Sequence, residues 1–253
     1  MKKQRWVISS DWHLPYHDPR LVNLVLDVAE DIGCTHFLIN GDFLDFYNIN
    51  MHGPKSPRVI ESLEEEFSSG LEWIDKIRNR LPNQKIHLSL GNHEHRLERF
   101  ILKNCKAFYN ILSVDKMLQL KRYNVTWSRY QEKIQIPNIP VYIMHSPPSY
   151  SKHSASVSLD KKVEGNWIFS CTHRPTWALK PTDLGNIYEA FTMGWLGSTT
   201  LTESHREVFS FAKGHESWAH SFIIVDVVGD SFFINHHIIR DYKVSVGGFV
   251  YEG

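Results

Sequence analysis

The sequence predicts an α/β fold in a single domain spanning residues 1–253, and three observations carry that prediction. Short apolar runs alternate with amphipathic stretches through the first half, as strands alternate with helices in βαβ units. The second half is richer in strand-like runs. Several of these runs end abruptly in Asp, Asn and His, as strands do when they reach a ligand-binding edge.

Arg5 to Ser9 is a short, partly β-branched run that stops at Ser10-Asp11, which predicts a buried strand. Asp18-Pro19 then supplies an N-cap and a proline at the first helical position. Leu21, Leu24, Val25, Val28 and Ile32 follow at helical spacing, and Gly33 ends the helix. Phe37 to Ile39 is the next strand and runs into Asn40-Gly41-Asp42. Ile60, Leu63, Phe67, Leu71, Ile74 and Ile77 mark a second amphipathic helix closed by Leu81-Pro82. Lys85 to Leu90 reads as a third strand, leading to Gly91-Asn92-His93. This order implies right-handed crossovers and a parallel sheet. Further strands are expected at Val141 to Met144, Trp167 to Ser170, Phe222 to Val228 and Ser231 to Ile239. Gly229-Asp230 joins the last two as a hairpin. The Ser- and Pro-rich stretch from Ser146 to Gly165 reads as a long loop.

Composition narrows the function classes. Lys plus Arg number 28 and Asp plus Glu number 28, so the formal charge is zero. That balance argues against a chain whose main work is coating nucleic acid or anionic membrane. At 42% hydrophobic and 22% charged residues, the chain is neither disordered nor fibrous. No apolar run approaches the roughly 18 residues of a membrane span. The basic start, Met1 to Arg5, is followed only by Trp6-Val7-Ile8, too short for a signal peptide. Cys34, Cys105 and Cys171 are odd in number and widely spaced, so no disulfide framework is expected and a cytoplasmic location is. Histidine is the outlier, with 15 copies.

The chemistry sits at five strand ends: Asp11-Trp12-His13, Gly41-Asp42-Phe43-Leu44-Asp45, Gly91-Asn92-His93-Glu94, His145, and Cys171-Thr172-His173. The C-terminal ends of parallel strands share one edge, so these residues are expected to converge there. A lone histidine is more often a satisfied core residue, a lone Asp after a strand more often a cap, and Gly-Asp alone a turn. Five such bursts, all of ligand chemistry, are not explained that way. Carboxylate and amide oxygens mixed with imidazoles suit Mn, Fe, Zn or Ni rather than Ca. One carboxylate can bridge two such ions about 3.5–4 Å apart, the spacing used for in-line phosphoryl displacement.

With these motifs in place, the sequence resembles the calcineurin-like metallophosphoesterases. The family signature runs D-x-H, G-D-x-x-D, G-N-H-E/D, a strand-terminal His, then G-H-x-H. Order and spacing match from about residue 6 to residue 174. The resemblance implies a β-sandwich flanked by helices, with two divalent transition-metal ions on its rim. It implies one ion held by Asp11, His13, Asp42 and His173, and another by Asp42, Asn92 and His145, with Asp42 as the bridge. It also implies that His93 protonates the leaving oxygen, that Asp45 orients His93, and that metal-activated water attacks the phosphate ester directly. Two departures stand out: Cys171 occupies the place of the first His of G-H-x-H, a second-metal ligand, and Ser146-Pro147 follows His145 where Gly is common.

The expected partner is a phosphate ester, mono- or diester, with nucleotides and nucleic acid among the candidates. Phe46 stands where phosphoprotein phosphatases carry Arg, which weakens that reading. Arg96, Arg99, Lys103 and Lys106 recur at helical spacing and would suit a nuclease, but the interleaved Glu94 and Glu98 favour a solvated helix face. Trp195 and Trp218 could stack bases, although core or rim packing is the better account of them. The competing reading is a non-catalytic metal-binding member with its second metal site impaired through Cys171. A structural zinc site is disfavoured, because no C-x-x-C spacing is present. No motif recruits His52, His153, His205, His215, His220, His236 or His237.

Overall fold

The computed structural model describes residues 3–49, 62–161, 164–182, 185–198 and 217–253. Strand β1 (Lys3–Ser9) leads into helix α1 (Pro19–Asp31), whose Asp18 side chain caps the backbone N–H of Arg20 with Pro19 at the first turn. Gly33 adopts a φ of +62° and ends it. β2 (His36–Asn40) and α2 (Leu63–Arg80) follow, and Ser62 and Glu65 form a capping box at the start of α2. Ile60, assigned to this helix from periodicity, lies outside the described residues, as do Met1 and Lys2. β3 (Lys85–Ser89) gives way to α3 (Asn92–Asn104), and the short α4 (Val114–Met117) precedes β4 (Val125–Ser128). β1 to β4 pair in parallel, as the βαβ reading expects.

The second half builds another layer from β5 (Ile134–Gln135), β6 (Val141–Ile143), α5 (Ser154–Lys161), β7 (Asn166–Phe169), β8 (Thr176–Pro181) and β9 (Ile187–Thr192). These strands form a five-stranded sheet in the order β5-β6-β7-β9-β8, with β6, β7 and β9 parallel. β10 (His220–Val228) and β11 (Ser231–Ile239) form the expected hairpin and return to the first sheet, where β10 lies antiparallel to β1. The first sheet is therefore mixed, in the order β11-β10-β1-β2-β3-β4. A small hairpin, β12 (Lys243–Val246) with β13 (Phe249–Glu252), closes the chain.

Strand alternation divides the core into layers. Val7, Phe222 and Ile224 face the helices and pack with Leu21, Val25 and Ile74. Trp6, Ile8, Ile223 and Val225 face the other way and meet Val141, Ile143, Ile168 and Phe191 of the second sheet. β2 is buried on both faces, which explains its unbroken Phe-Leu-Ile run. The result is a β-sandwich flanked by helices. No helix among the described residues is long and apolar enough to cross a membrane.

One expectation is corrected. Residues 146–165 are not a continuous loop, because α5 runs through them. Its Ala155 and Leu159, four residues apart, bury against Trp167, Phe169 and Ala190 on the outer face of the second sheet. Ser154, Ser156 and Ser158 masked this short apolar stripe, since serine favours turns when its packing is unknown. The edge strands β4, β5, β8, β12 and β13 and the interior strand β9 fall outside the strands expected from the sequence, being short or only partly buried.

Candidate metal centre

The five polar bursts lie at the C-terminal ends of parallel strands: β1, β2 and β3 in one sheet, β6 and β7 in the other. Backbone hydrogen bonds stitch the loops together, with Asp11 N–H donating to Gly41 O (3.0 Å), His13 N–H to Asp42 O (2.9 Å) and Ser170 N–H to His145 O (2.8 Å). Asn40 ties the sheets to each other, its amide donating to Ser170 Oγ (2.7 Å) and to Met144 O (3.3 Å).

Three groups of ligand atoms converge in this rim. Asp11, His13 and His173 form one, Asp42, His145 and Cys171 form another, and His13, Asp45 and His93 form a third. In the first, His13 Nε2 lies 3.1 Å from His173 Nε2, and Asp11 Oδ1 lies 3.2 Å from His173 Nε2. Asp11 Oδ2 accepts from Ser10 Oγ (2.6 Å) and from the Cys171 N–H (3.2 Å). Its other oxygen, Oδ1, is buried and makes no hydrogen bond among the described residues. In the second group, His145 Nε2 lies 3.2 Å from Asp42 Oδ2 and 3.0 Å from Asn92 Oδ1. Cys171 Sγ also reaches Asn92 Oδ1, at 2.9 Å.

The outer partners fix which atom of each side chain faces inward. His13 Nδ1 donates to Asp45 Oδ2 (2.8 Å), and His145 Nδ1 donates to Asn40 O (2.6 Å). Each imidazole thereby presents Nε2 to the cluster, the usual arrangement behind a metal ligand. A buried carboxylate oxygen left without a donor, flanked by inward-facing imidazole nitrogens, suits divalent cations, so the residues present fit the metals that the motifs imply.

Glycine is required where the chains approach. A Cβ on Gly91 would collide with the carboxylate and N–H of Asp42, and one on Gly41, whose φ is +85°, would collide with the ring of His145. Asp11, His13, Asp42, Cys171 and His173 themselves hold φ between +50° and +65°. Left-handed backbone in non-glycine residues is sparsely populated and concentrates at functional sites. Five strained residues in two converging groups have no packing explanation.

The electrostatics follow from burial and close pairing. Burial pushes the Asp42 carboxyl up, but His145 and His93 beside it hold it well below the usual range. Burial works against protonation of His145, yet Asp42 keeps it well above the ordinary histidine value. For His173 burial prevails over Asp11, and its pKa falls. Burial raises the Cys171 thiol against the pull of His145.

Asp45 holds His93, and it does so chiefly through its backbone. Its carboxylate lies 3.2 Å from His93 Nδ1, but the shortest contact of that nitrogen is with the Asp45 backbone carbonyl, at 2.7 Å. The carboxylate is shared with His13, so one residue positions two imidazoles. His93 itself sits beside Asp42, with Nε2 3.7 Å from Asp42 Oδ2 and its N–H donating to Asp42 Oδ1 at 2.9 Å. Its side chain is 15% exposed, whereas those of His13 and His145 are 1% exposed.

Glu94 is a second correction, being fully buried rather than part of a solvated face. Its carboxylate accepts from the N–H groups of Gly91 (2.7 Å), Leu44 (2.8 Å) and Asp42 (3.1 Å), and so pins the second and third bursts together. Burial and the charge of Asp42 push its pKa up to about 7, against the amides of Leu44 and Gly91. The Glu of G-N-H-E was the available signal for this strut. Lys106 lies in a separate 3-10 turn after Cys105, so the proposed basic face is confined to Arg96, Arg99 and Lys103. Trp195 stacks on His173 at a centroid distance of 5.4 Å and is buried, while Trp218 meets the same ring edge-on at 4.2 Å. Both are rim packing for a cluster residue. His220 contacts Trp195 O, His236 contacts Ser221 Oγ and His237 contacts Ser245 O. His52, His205 and His215 lie outside the described residues. All three cysteines are free.

A family model for the calcineurin-like phosphoesterases matches residues 5–216, most of the chain. The chain belongs to that family. No curated protein sequence matches it. Among solved structures it is similar to Vps29 from Entamoeba histolytica complexed with zinc, at 12% identity, a TM-score of 0.46 and 96% of each chain covered. It is also similar to YfcE, a phosphoesterase from E. coli, at 14% identity and a TM-score of 0.42, covering 96% of this chain and 92% of that one. A dimetal phosphatase from Danio rerio aligns at 9% identity and a TM-score of 0.43, covering 92% and 95%.

The position of Cys171 makes its ligand role testable. Its sulfur lies among Asp42, His145 and Asn92 rather than in the apolar core. A thiolate is a soft ligand that favours Zn over Mn. If the group around Asp42 and His145 binds metal, replacing Cys171 by Ala is expected to weaken Zn binding there by at least roughly tenfold and to change Mn binding less. Cys171→His should tighten Mn at the same site. Competitive Zn and Mn titrations check this, and identical affinities in all three proteins would remove Cys171 from the ligand set.

Proposed function

We propose that this protein is a metal-dependent phosphoesterase hydrolysing a phosphate mono- or diester at the rim where the two sheets meet. Asp11, His13, Asp42 and His173 would hold one divalent cation, and Asp42, Asn92, His145 and Cys171 would hold the other. When bound, such a pair neutralises phosphoryl charge and turns water into a nucleophile at neutral pH. Asp45 keeps His13 turned inward and holds His93 by Nδ1 through its carbonyl. Because Nδ1 is fixed there, the proton available to substrate is the one carried on Nε2. His93 gives that proton to the leaving oxygen as the P–O bond breaks, and recovers one from solvent.

The observation that carries this reading is the placement of His93. A protein that only stores metal needs no partly exposed imidazole held beside the central carboxylate by its neighbour's backbone. The substrate class rests on the same site: hydrolysis of an ester, with nucleotides among the candidates.

Metal analysis combined with assays on aryl phosphate mono- and diesters tests the proposal. Activity is expected with added Mn, should vanish with chelator and should return when metal is restored. A protein carrying its full complement of metal yet inert toward both ester types would leave the non-catalytic metal-binding reading in place.

A further inference from the structure

Arg96 lies one helical turn beyond His93 on α3, and it is half-buried rather than on the solvated face. Its Nη2 lies 2.8 Å from His93 Nε2, and its Nη1 donates to the Asp45 backbone carbonyl at 3.1 Å. A guanidinium has only donors, so His93 Nε2 must accept this bond and Nδ1 must carry the proton given to Asp45 O. Among the described residues, no carboxylate lies within ion-pairing distance of Arg96. A positive charge is thus held at the edge of the cluster by a carbonyl and an imidazole nitrogen, with no direct ion-pair partner among the described residues. The guanidinium fork matches two oxygens of a phosphate.

We propose that Arg96 is the phosphate-binding cation of this site, donating to the non-bridging oxygens of the bound ester. This deepens the phosphoesterase reading and rests on it. In the absence of substrate, Arg96 covers the nitrogen that must face the leaving oxygen. An arriving phosphate offers a charged acceptor better than a neutral imidazole, so the guanidinium transfers to it and uncovers Nε2. Nε2, bare of a proton while Arg96 covers it, then takes one up from solvent while Nδ1 keeps its bond to the Asp45 carbonyl. Binding the anion and opening the position that must carry the acid proton are thus one movement. Arg99 and Lys103, further along α3, are not needed for it.

The test compares wild type, Arg96→Gln and Arg96→Lys, each metal-loaded, by calorimetric titration with inorganic phosphate and by steady-state kinetics on an aryl phosphate. Arg96→Gln retains a donor for Asp45 O, so folding and metal stoichiometry should be unchanged. Phosphate affinity should fall roughly 10–100-fold, the worth of a charged hydrogen-bonded contact, and KM should rise in parallel. Lys should restore part of the affinity, because it supplies charge without the fork. Equal phosphate affinity in wild type and Arg96→Gln at equal metal content would overturn the proposal. So would loss of metal in both variants, which would make Arg96 a strut for Asp45. A wild type that hydrolyses no ester would sink the phosphoesterase reading, while the phosphate titration would still judge Arg96.

Discussion

Replacing Asp42 by Asn is expected to strip more metal from the protein than any other single ligand substitution. The carboxylate lies at the meeting point of the second and third bursts and within reach of His145 and His93. Asparagine has nearly the same shape and keeps an acceptor for the His93 N–H, so the fold should survive. What disappears is the charge, the only feature that lets one side chain serve two cations. Changes behind a metal ligand commonly cost 10–100-fold in affinity, so losing the proposed bridge should cost at least roughly 100-fold. Metal should be quantified after chelation and reconstitution, with melting curves as a control for folding. An Asp42→Asn protein that retains two ions would end the assignment of Asp42 as the bridge.

The second large effect concerns His93. Substitution by Asn should lower kcat by roughly 10²–10⁴-fold, the usual worth of a general acid, with metal content unchanged. Separating the two is possible because the hydrogen bond His93 gives Asp42 comes from its backbone N–H, which the substitution leaves in place. The loss should be smaller for esters with good leaving groups, such as nitrophenol, which need little protonation. Plotting kcat against leaving-group pKa for both proteins measures this. Parallel lines would assign His93 some role other than proton donation.

Much of this site was legible because each motif is local. Asp11 to His13, Gly41 to Asp45 and Gly91 to Glu94 each span a few residues at the end of an apolar run, and such a run signals a strand by itself. The helices were legible from their caps, as at Asp18-Pro19 and Gly33. Less was legible where packing alone decides. α5 hides its two apolar anchors among serines, and β8 is an edge strand with Trp177 and Leu179 exposed. Neither carries the periodicity that a buried face imposes.

The sequence by itself determined the family, the helix-flanked sandwich and the chemical type of each residue at the strand ends. Only the tertiary structure decided which atom of each residue does what. His13 meets Asp45 across 32 residues of chain and His173 across 160, and Asn40 meets Ser170 across 130. Those contacts depend on sheet order and register, which local pattern does not encode. The sharing of Asp45 by two imidazoles, the burial of Glu94 under three amides and the seat of Arg96 on His93 all arise this way. Residue chemistry is a property of the chain, whereas hydrogen-bond direction is settled only when distant strand ends are brought within about 3 Å of one another.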